Sequence, residues 1–166
     1  MLENRLDKNL NANTVKFLTV ARLVPQKNIS LLLRAFQEVH LHFPQDSLTV
    51  VGNGFLKSDL MKLADSLNIS EVVHFVGKTD KIEQFYEVHD VFVLSSLYEG
   101  FGLVLLEAGL YSMPIIASNI SAIPEVLGDN FPGLAQSDNV DHFASLMKKC
   151  HSGFNFFFIN IIFLFN

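Results

Sequence analysis

The stretch DVFVLSSLYEGFGLVLLEA, residues 90–108, decides how the chain is read. DVFVLSS is a near-continuous apolar run, as in a strand covered on both faces. GLVLLEA reads as the start of an apolar helix. Gly100 and Gly102 stand where the strand turns into that helix. Glycine tolerates positive φ and lets backbone come close to a ligand. The free N–H groups and dipole of the helix start favour an anion. Glycines also make plain tight turns after strands, so the pair alone leaves turn and cradle equally open.

The two glutamates extend the argument. Glu107 sits inside an otherwise apolar helix, where a carboxylate is costly unless paired or hydrogen-bonded. A pair of ribose hydroxyls would satisfy it, as an acidic residue does in other nucleotide folds. A solvated helix stripe would satisfy it too. Glu99 stands at the mouth of the strand, where it can accept from sugar hydroxyls or cap the helix. Glu107 follows Glu99 by eight positions, with the glycines between them. That order suits a sugar, a diphosphate and a ribose laid along the helix start.

Outward from this stretch the chain alternates strand and helix. Strands are expected over residues 15–21, 47–52, 72–77, 90–96 and 114–118. Helices are expected over residues 28–43, 56–68 and 81–89, at the motif, from about Ile123, and over 141–149. Leu32, Ala35, Phe36 and Val39 recur at helical spacing, as do Leu56, Leu60, Leu63, Ala64 and Leu67. The alternation predicts an α/β, Rossmann-like parallel sheet with helices on both faces. Ligands of such sheets sit outside the carboxyl ends of the strands. The segments ARLVPQKN, GNGF and SSLYEGFG all fall there.

Arg22 and Lys27 follow the first strand and supply positive charge. A guanidinium fork and a compact ammonium both suit a diphosphate. Pro25 stiffens their loop, and Asn28 or Ser30 can cap the next helix. The six histidines are scattered and form no set with ligand spacing, so no metal site is expected.

The bulk composition is consistent with one domain. The chain has 166 residues, 49% of them hydrophobic, and a net charge of −5. An acidic balance disfavours nucleic acid as the main partner. Cys150 is the single cysteine, which excludes a disulfide framework. Residues 1–14 read as a polar leader remnant without the apolar core of a signal peptide. Residues 151–166 form a tail whose last thirteen residues, FNFFFINIIFLFN, carry no charge. As a helix that stretch would reach only about 20 Å, short of the ~30 Å hydrocarbon layer. It lacks the basic face of a membrane-surface helix. Three readings stand: translation past a gene break, a buried or aggregating segment, and a membrane role.

VARLVPQKN, VGNGFLKSDL, VHFVGKTDKIEQFYEVHDVFVLSSLYEGFGLVLLEA and MPIIASNISAIPEVLG together resemble the carboxyl-terminal half of retaining GT-B glycosyltransferases, especially glycosyltransferase family four. The resemblance covers residues 15–149. It implies one half of a GT-B fold, with residues 15–150 as the nucleotide-sugar-binding domain. Arg22 and Lys27 would neutralise the donor diphosphate, and Glu99 would hold donor-sugar hydroxyls. Gly100, Phe101, Gly102, Leu103 and Val104 would present backbone to sugar and phosphates. Glu107 would bind the ribose. Gly77 and Lys78 would lie by the base, and Gly52 and Gly54 would keep a nearby loop close-packed. The implied reaction moves a sugar from a UDP- or GDP-linked donor to a glycan or lipid-linked acceptor, with retention. No cofactor is implied, the nucleotide-sugar being the substrate.

The family often has glycine where Ser112 stands, and paired glycines where Ser121 and Ala122 stand. A GT-B enzyme also has an amino-terminal acceptor domain, and only about fourteen residues precede the first expected strand. The expectation is a fragment, inactive or weakly active alone. The whole enzyme would be cytoplasmic, with peripheral contact at the inner face of the cytoplasmic membrane. The alternative is a non-catalytic nucleotide-binding module or gene relic. A sugar-nucleotide epimerase is disfavoured by the glutamate pair. A response-regulator domain is disfavoured because Arg22 stands where an acidic cluster should.

Overall fold

A computed structural model describes residues 14–152. The expected leader, apart from Thr14, and the apolar tail beyond Ser152 lie outside the described residues. The described chain is a six-stranded sheet in the order β3-β2-β1-β4-β5-β6, with every pairing parallel. The strands are β1 (Lys16–Val20), β2 (Ser47–Val51), β3 (Val73–Gly77), β4 (Val91–Leu94), β5 (Ile115–Ser118) and β6 (Leu134–Ala135). The helices are α1 (Ile29–His40), α2 (Lys57–Ser66), α3 (Ile82–Val88), α4 (Leu103–Leu110), α5 (Ile123–Leu127) and α6 (Val140–Lys149). This is the Rossmann order, and its direction reverses between β1 and β4.

Side chains of a strand alternate between faces. Phe17, Val91, Val93 and Ile116 therefore enter one core, together with Leu32 and Phe36 of α1, Leu60 of α2 and Phe143 of α6. Their neighbours Leu18, Phe92, Leu94 and Ile115 enter the second core, with Tyr86 of α3, Leu105 of α4 and Ile123 of α5. Both faces are buried along most of β1, β2, β4 and β5, which is why those strands read as continuous apolar runs, whereas β3 at the sheet edge leaves His74 and Val76 exposed. The α1 stripe of Leu32, Ala35, Phe36 and Val39 is fully buried, as expected.

Two local expectations fail. Neither Asn28 nor Ser30 caps α1 with its side chain. Asn28 is left-handed, at φ 45°, away from the extended geometry that usually aims a capping side chain at the helix. Its amide donates instead to Asp138, and its Oδ1 accepts from the Ser30 hydroxyl. The fourth strand also ends earlier than expected, at Leu94. Ser95 and Ser96 leave the ladder and make side-chain bonds of their own, described below.

Ser112 and Ser121 have φ of 51° and 48°. The resemblance places glycine at these positions in many members of the family, and positive φ is what glycine supplies without strain. Ser112 closes α4 in a Schellman arrangement: its N–H donates to Gly109 O, and Met113 N–H donates to Ala108 O. Left-handed backbone strains a residue with a Cβ, whereas glycine loses more entropy on folding. We expect Ser112→Gly to raise stability by about 0.5–1 kcal/mol. A urea midpoint that falls on substitution would show that the serine side chain contributes more than its strain costs.

Candidate functional site

The carboxyl ends of β1 and β4 flank the switch point, and the loops that follow them are tied together. Leu97 N–H donates to Gln26 O, and the Gln26 side-chain amide donates to Tyr98 O. The Ser95 hydroxyl lies 3.1 Å from both the Lys27 and Asn28 carbonyl oxygens. A single 3-10 turn, Pro25–Lys27, shapes the first of these loops. Its proline sets φ for the turn. Lys27 is thereby delivered to Glu99, with Nζ 2.5 Å from Oε1. Ser96 donates to the same oxygen at 2.7 Å. Glu99 is 7% exposed, so its charge is held by an ammonium and a hydroxyl rather than by water. It does not cap α4, which has no side-chain cap.

A cleft of about 700 Å³ opens at this edge. Arg22 and Lys27 line it from the loop after β1, and Gly52 and Asn53 from the loop after β2. Lys78, Thr79 and Ile82 line it beyond β3. Glu99 and the run Phe101, Gly102, Leu103 and Val104 close it from the β4 side. Nine of the thirteen residues singled out in the sequence thus meet at one surface; Gly54, Gly77, Gly100 and Glu107 do not line it. Asn53, Thr79 and Ile82 lie in segments quoted above but were not singled out there as site residues.

The start of α4 faces the cleft. Gly102, at φ 70°, occupies the N-cap position, and no side chain satisfies the first N–H groups. Those groups and the helix dipole present positive potential beside Arg22 and Lys78. Both cations are exposed, and neither has an ion-pair partner among the described residues. The cleft therefore carries net positive charge in a chain whose total is −5.

Close backbone approach explains two glycines. A Cβ on Gly52 would lie 1.9 Å from Ala21 O, and one on Gly54 would lie 2.2 Å from Leu23 O. The loop after β2 is pressed against the loop after β1. A Cβ on Gly100 would meet nothing within 4 Å, so this glycine has no packing reason inside the described chain.

Glu107 lies on α4 one turn beyond Val104 and is half-buried. Its Oε2 accepts from the Tyr86 hydroxyl at 2.7 Å. Tyr86 was not singled out in the sequence. Its position four residues after Ile82, on the inner side of a short helix, was the available signal. Among the described residues no group of three or more His, Cys, Asp or Glu could hold a metal ion, and no helix is long and apolar enough to cross a membrane.

Comparison with known proteins gives the family. The family model described as glycosyl transferases group 1 matches residues 2–152. An uncharacterised glycosyltransferase of Methanocaldococcus jannaschii is 31% identical over 136 residues, 81% of this chain and 33% of that protein. A GDP-mannose-dependent alpha-(1-6)-phosphatidylinositol monomannoside mannosyltransferase of Mycobacterium tuberculosis is 32% identical over 140 residues, 78% of this chain and 36% of that protein. A TarM variant of S. aureus, solved with fondaparinux, alpha-GlcNAc-glycerol and UDP, superposes with a TM-score of 0.79 at 25% identity, covering 84% of this chain and 29% of that one. The chain spans about a third of the length of the curated relatives it matches. The Rossmann-ordered sheet is thus one half of a GT-B fold, and the chain belongs to the glycosyl transferases group 1 family.

Proposed function

We propose that the cleft binds the nucleoside diphosphate of a nucleotide-sugar, and that the domain is the donor-binding half of an enzyme that transfers the sugar with retention. The observation that carries this reading is the convergence of Arg22, Lys27 and an uncapped helix start on one cleft at the sheet's switch point, with the Glu99 carboxylate beside them. As the bond from the anomeric carbon to the donor phosphate breaks, negative charge grows on the departing diphosphate. Arg22, Lys27 and the first N–H groups of α4 stabilise that charge in place, with little reorganisation. Glu99, already held by Lys27 and Ser96, accepts from hydroxyls of the sugar. Glu107 accepts from the ribose. Lys78, beside Gly77, lies toward the base.

The acceptor, a glycan or a lipid-linked sugar, is bound in this reading by the part of the enzyme that corresponds to the unmatched length of the relatives. The work is done in the cytoplasm, at the inner face of the membrane where such acceptors lie. One structural neighbour was solved with UDP and one relative is GDP-mannose-dependent, so both bases are to be tested. Calorimetric titration of the chain with UDP and with GDP should show binding of one of them. Glu107→Ala should weaken that binding about tenfold or more, as loss of a hydrogen bond to a charged group does. A folded chain that binds neither nucleotide, or a variant that binds as tightly as the parent, would overturn the reading.

A further inference from the structure

Glu107 has two carboxylate oxygens, and the fold uses only one. Oε2 accepts from the Tyr86 hydroxyl at 2.7 Å. Oε1 has no hydrogen-bond partner among the described residues, and it is not among the buried atoms left unpaired. A half-buried carboxylate with one oxygen bound and the other open is aimed by its partner.

The aim is set by two helices. Ile82 on α3 and Val104 on α4 both line the cleft. Tyr86 lies four residues beyond Ile82, and Glu107 three beyond Val104, so each occupies the next turn of the same helix face. The Tyr86–Glu107 bond thus bridges α3 and α4 one turn past the cleft wall. Tyr86 itself cannot turn freely. It is 1% exposed, its ring stacks on Tyr111 with centroids 5.4 Å apart, and it lies 5.9 Å from Phe92. Burial, then the neighbouring Glu107 carboxylate, pushes its phenol pKa up, so the hydroxyl stays protonated and donates.

The geometry points to Tyr86 as a positioning residue: it holds Glu107 Oε2 so that Oε1 alone receives the ribose hydroxyls of the donor nucleotide. This rests on the donor-site reading above. It assigns ribose recognition to a pair of residues from two helices rather than to the glutamate alone. It also separates Tyr86 from the sugar and phosphate contacts, which lie at the other end of α4.

Whichever of UDP or GDP binds is compared with its 2′,3′-dideoxy counterpart, on the full chain, by calorimetry. The wild-type chain should prefer the ribonucleotide by about tenfold. Tyr86→Phe keeps the ring that packs on Phe92 and Tyr111 and removes only the hydroxyl. It should reduce that preference to about twofold to threefold while leaving affinity for the dideoxynucleotide unchanged. Glu107→Gln serves as the comparator and should reduce the preference as well. A merely structural role for Tyr86 would weaken both ligands equally and leave the ratio intact. A wild-type preference that survives in full in Tyr86→Phe overturns the positioning role and leaves the donor site standing. A wild-type chain with no preference, or with no binding, overturns the ribose assignment to Glu107 and this inference with it.

Discussion

Gly52→Ala should destabilise the domain by about 4 kcal/mol, a large part of the margin of a protein this size. Two costs combine. The backbone at Gly52 has φ 135°, a conformation essentially confined to glycine. The added methyl would also stand 1.9 Å from the Ala21 carbonyl oxygen and 2.9 Å from its carbon. Those atoms belong to backbone that Ala21 N–H ties to Val51 O, and Gly52 N–H is itself tied to Gly77 O at 2.8 Å. The clash therefore cannot be relieved by turning a side chain. It must separate β1 from β2 or break the bond to β3, and overpacking of this kind costs several kcal/mol. The midpoint of urea unfolding measures the loss. A loss below about 1 kcal/mol would mean that the loop after β2 moves freely against β1.

The second large effect concerns Lys27. In Lys27→Met, Glu99 keeps the Ser96 hydroxyl but loses the ammonium, at a position 7% exposed. Removing one partner of a buried ion pair costs about 3 kcal/mol or more. Glu99→Gln removes the charge that Lys27→Met strands, so the double variant should recover much of the stability. The difference from additivity in the double-mutant cycle reports the pair directly. Nucleotide affinity should behave otherwise: the double variant should bind the diphosphate as weakly as Lys27→Met alone, because the cation is still missing. Additive losses of stability would show that Lys27 and Glu99 do not depend on each other in solution.

Much of this architecture was legible in the chain because local signals agreed. Four of the five expected strands read as apolar runs since both sheet faces are covered there, whereas β3 leaves His74 and Val76 exposed. Leu32, Ala35, Phe36 and Val39 marked α1 because a helix of twelve residues has room for a repeating stripe. The sixth strand, Leu134–Ala135, was not legible: two residues carry no period. Ser95 and Ser96 were read as strand because they continue an apolar run, yet their hydroxyls stitch the loops that carry Lys27 and Glu99. Arg22, Lys27, Glu99 and Glu107 stood out because charge beside glycine or inside an apolar helix is locally conspicuous.

Partnerships were the illegible part. Lys27 and Glu99 are 72 residues apart, and Tyr86 and Glu107 are 21 apart on different helices. Sequence spacing places each residue on an element but not against its neighbour across the sheet edge. Ser112 shows the converse. A serine stands where the resembled family has glycine, and the backbone keeps the positive φ that glycine would supply.

An amide chemical-shift titration of the chain with UDP and with GDP locates the nucleotide site directly. A donor site at the switch point requires that one nucleotide move the amides of Gly100, Phe101, Gly102, Leu103 and Val104, with those of Arg22 and Lys78, in a single saturable transition. A groove of about 500 Å³ between α1 and α6, lined by Glu38, Asp141, Lys148 and Lys149, should not respond. Shifts confined to that groove, or none at saturating nucleotide, would contradict a donor site at the switch point.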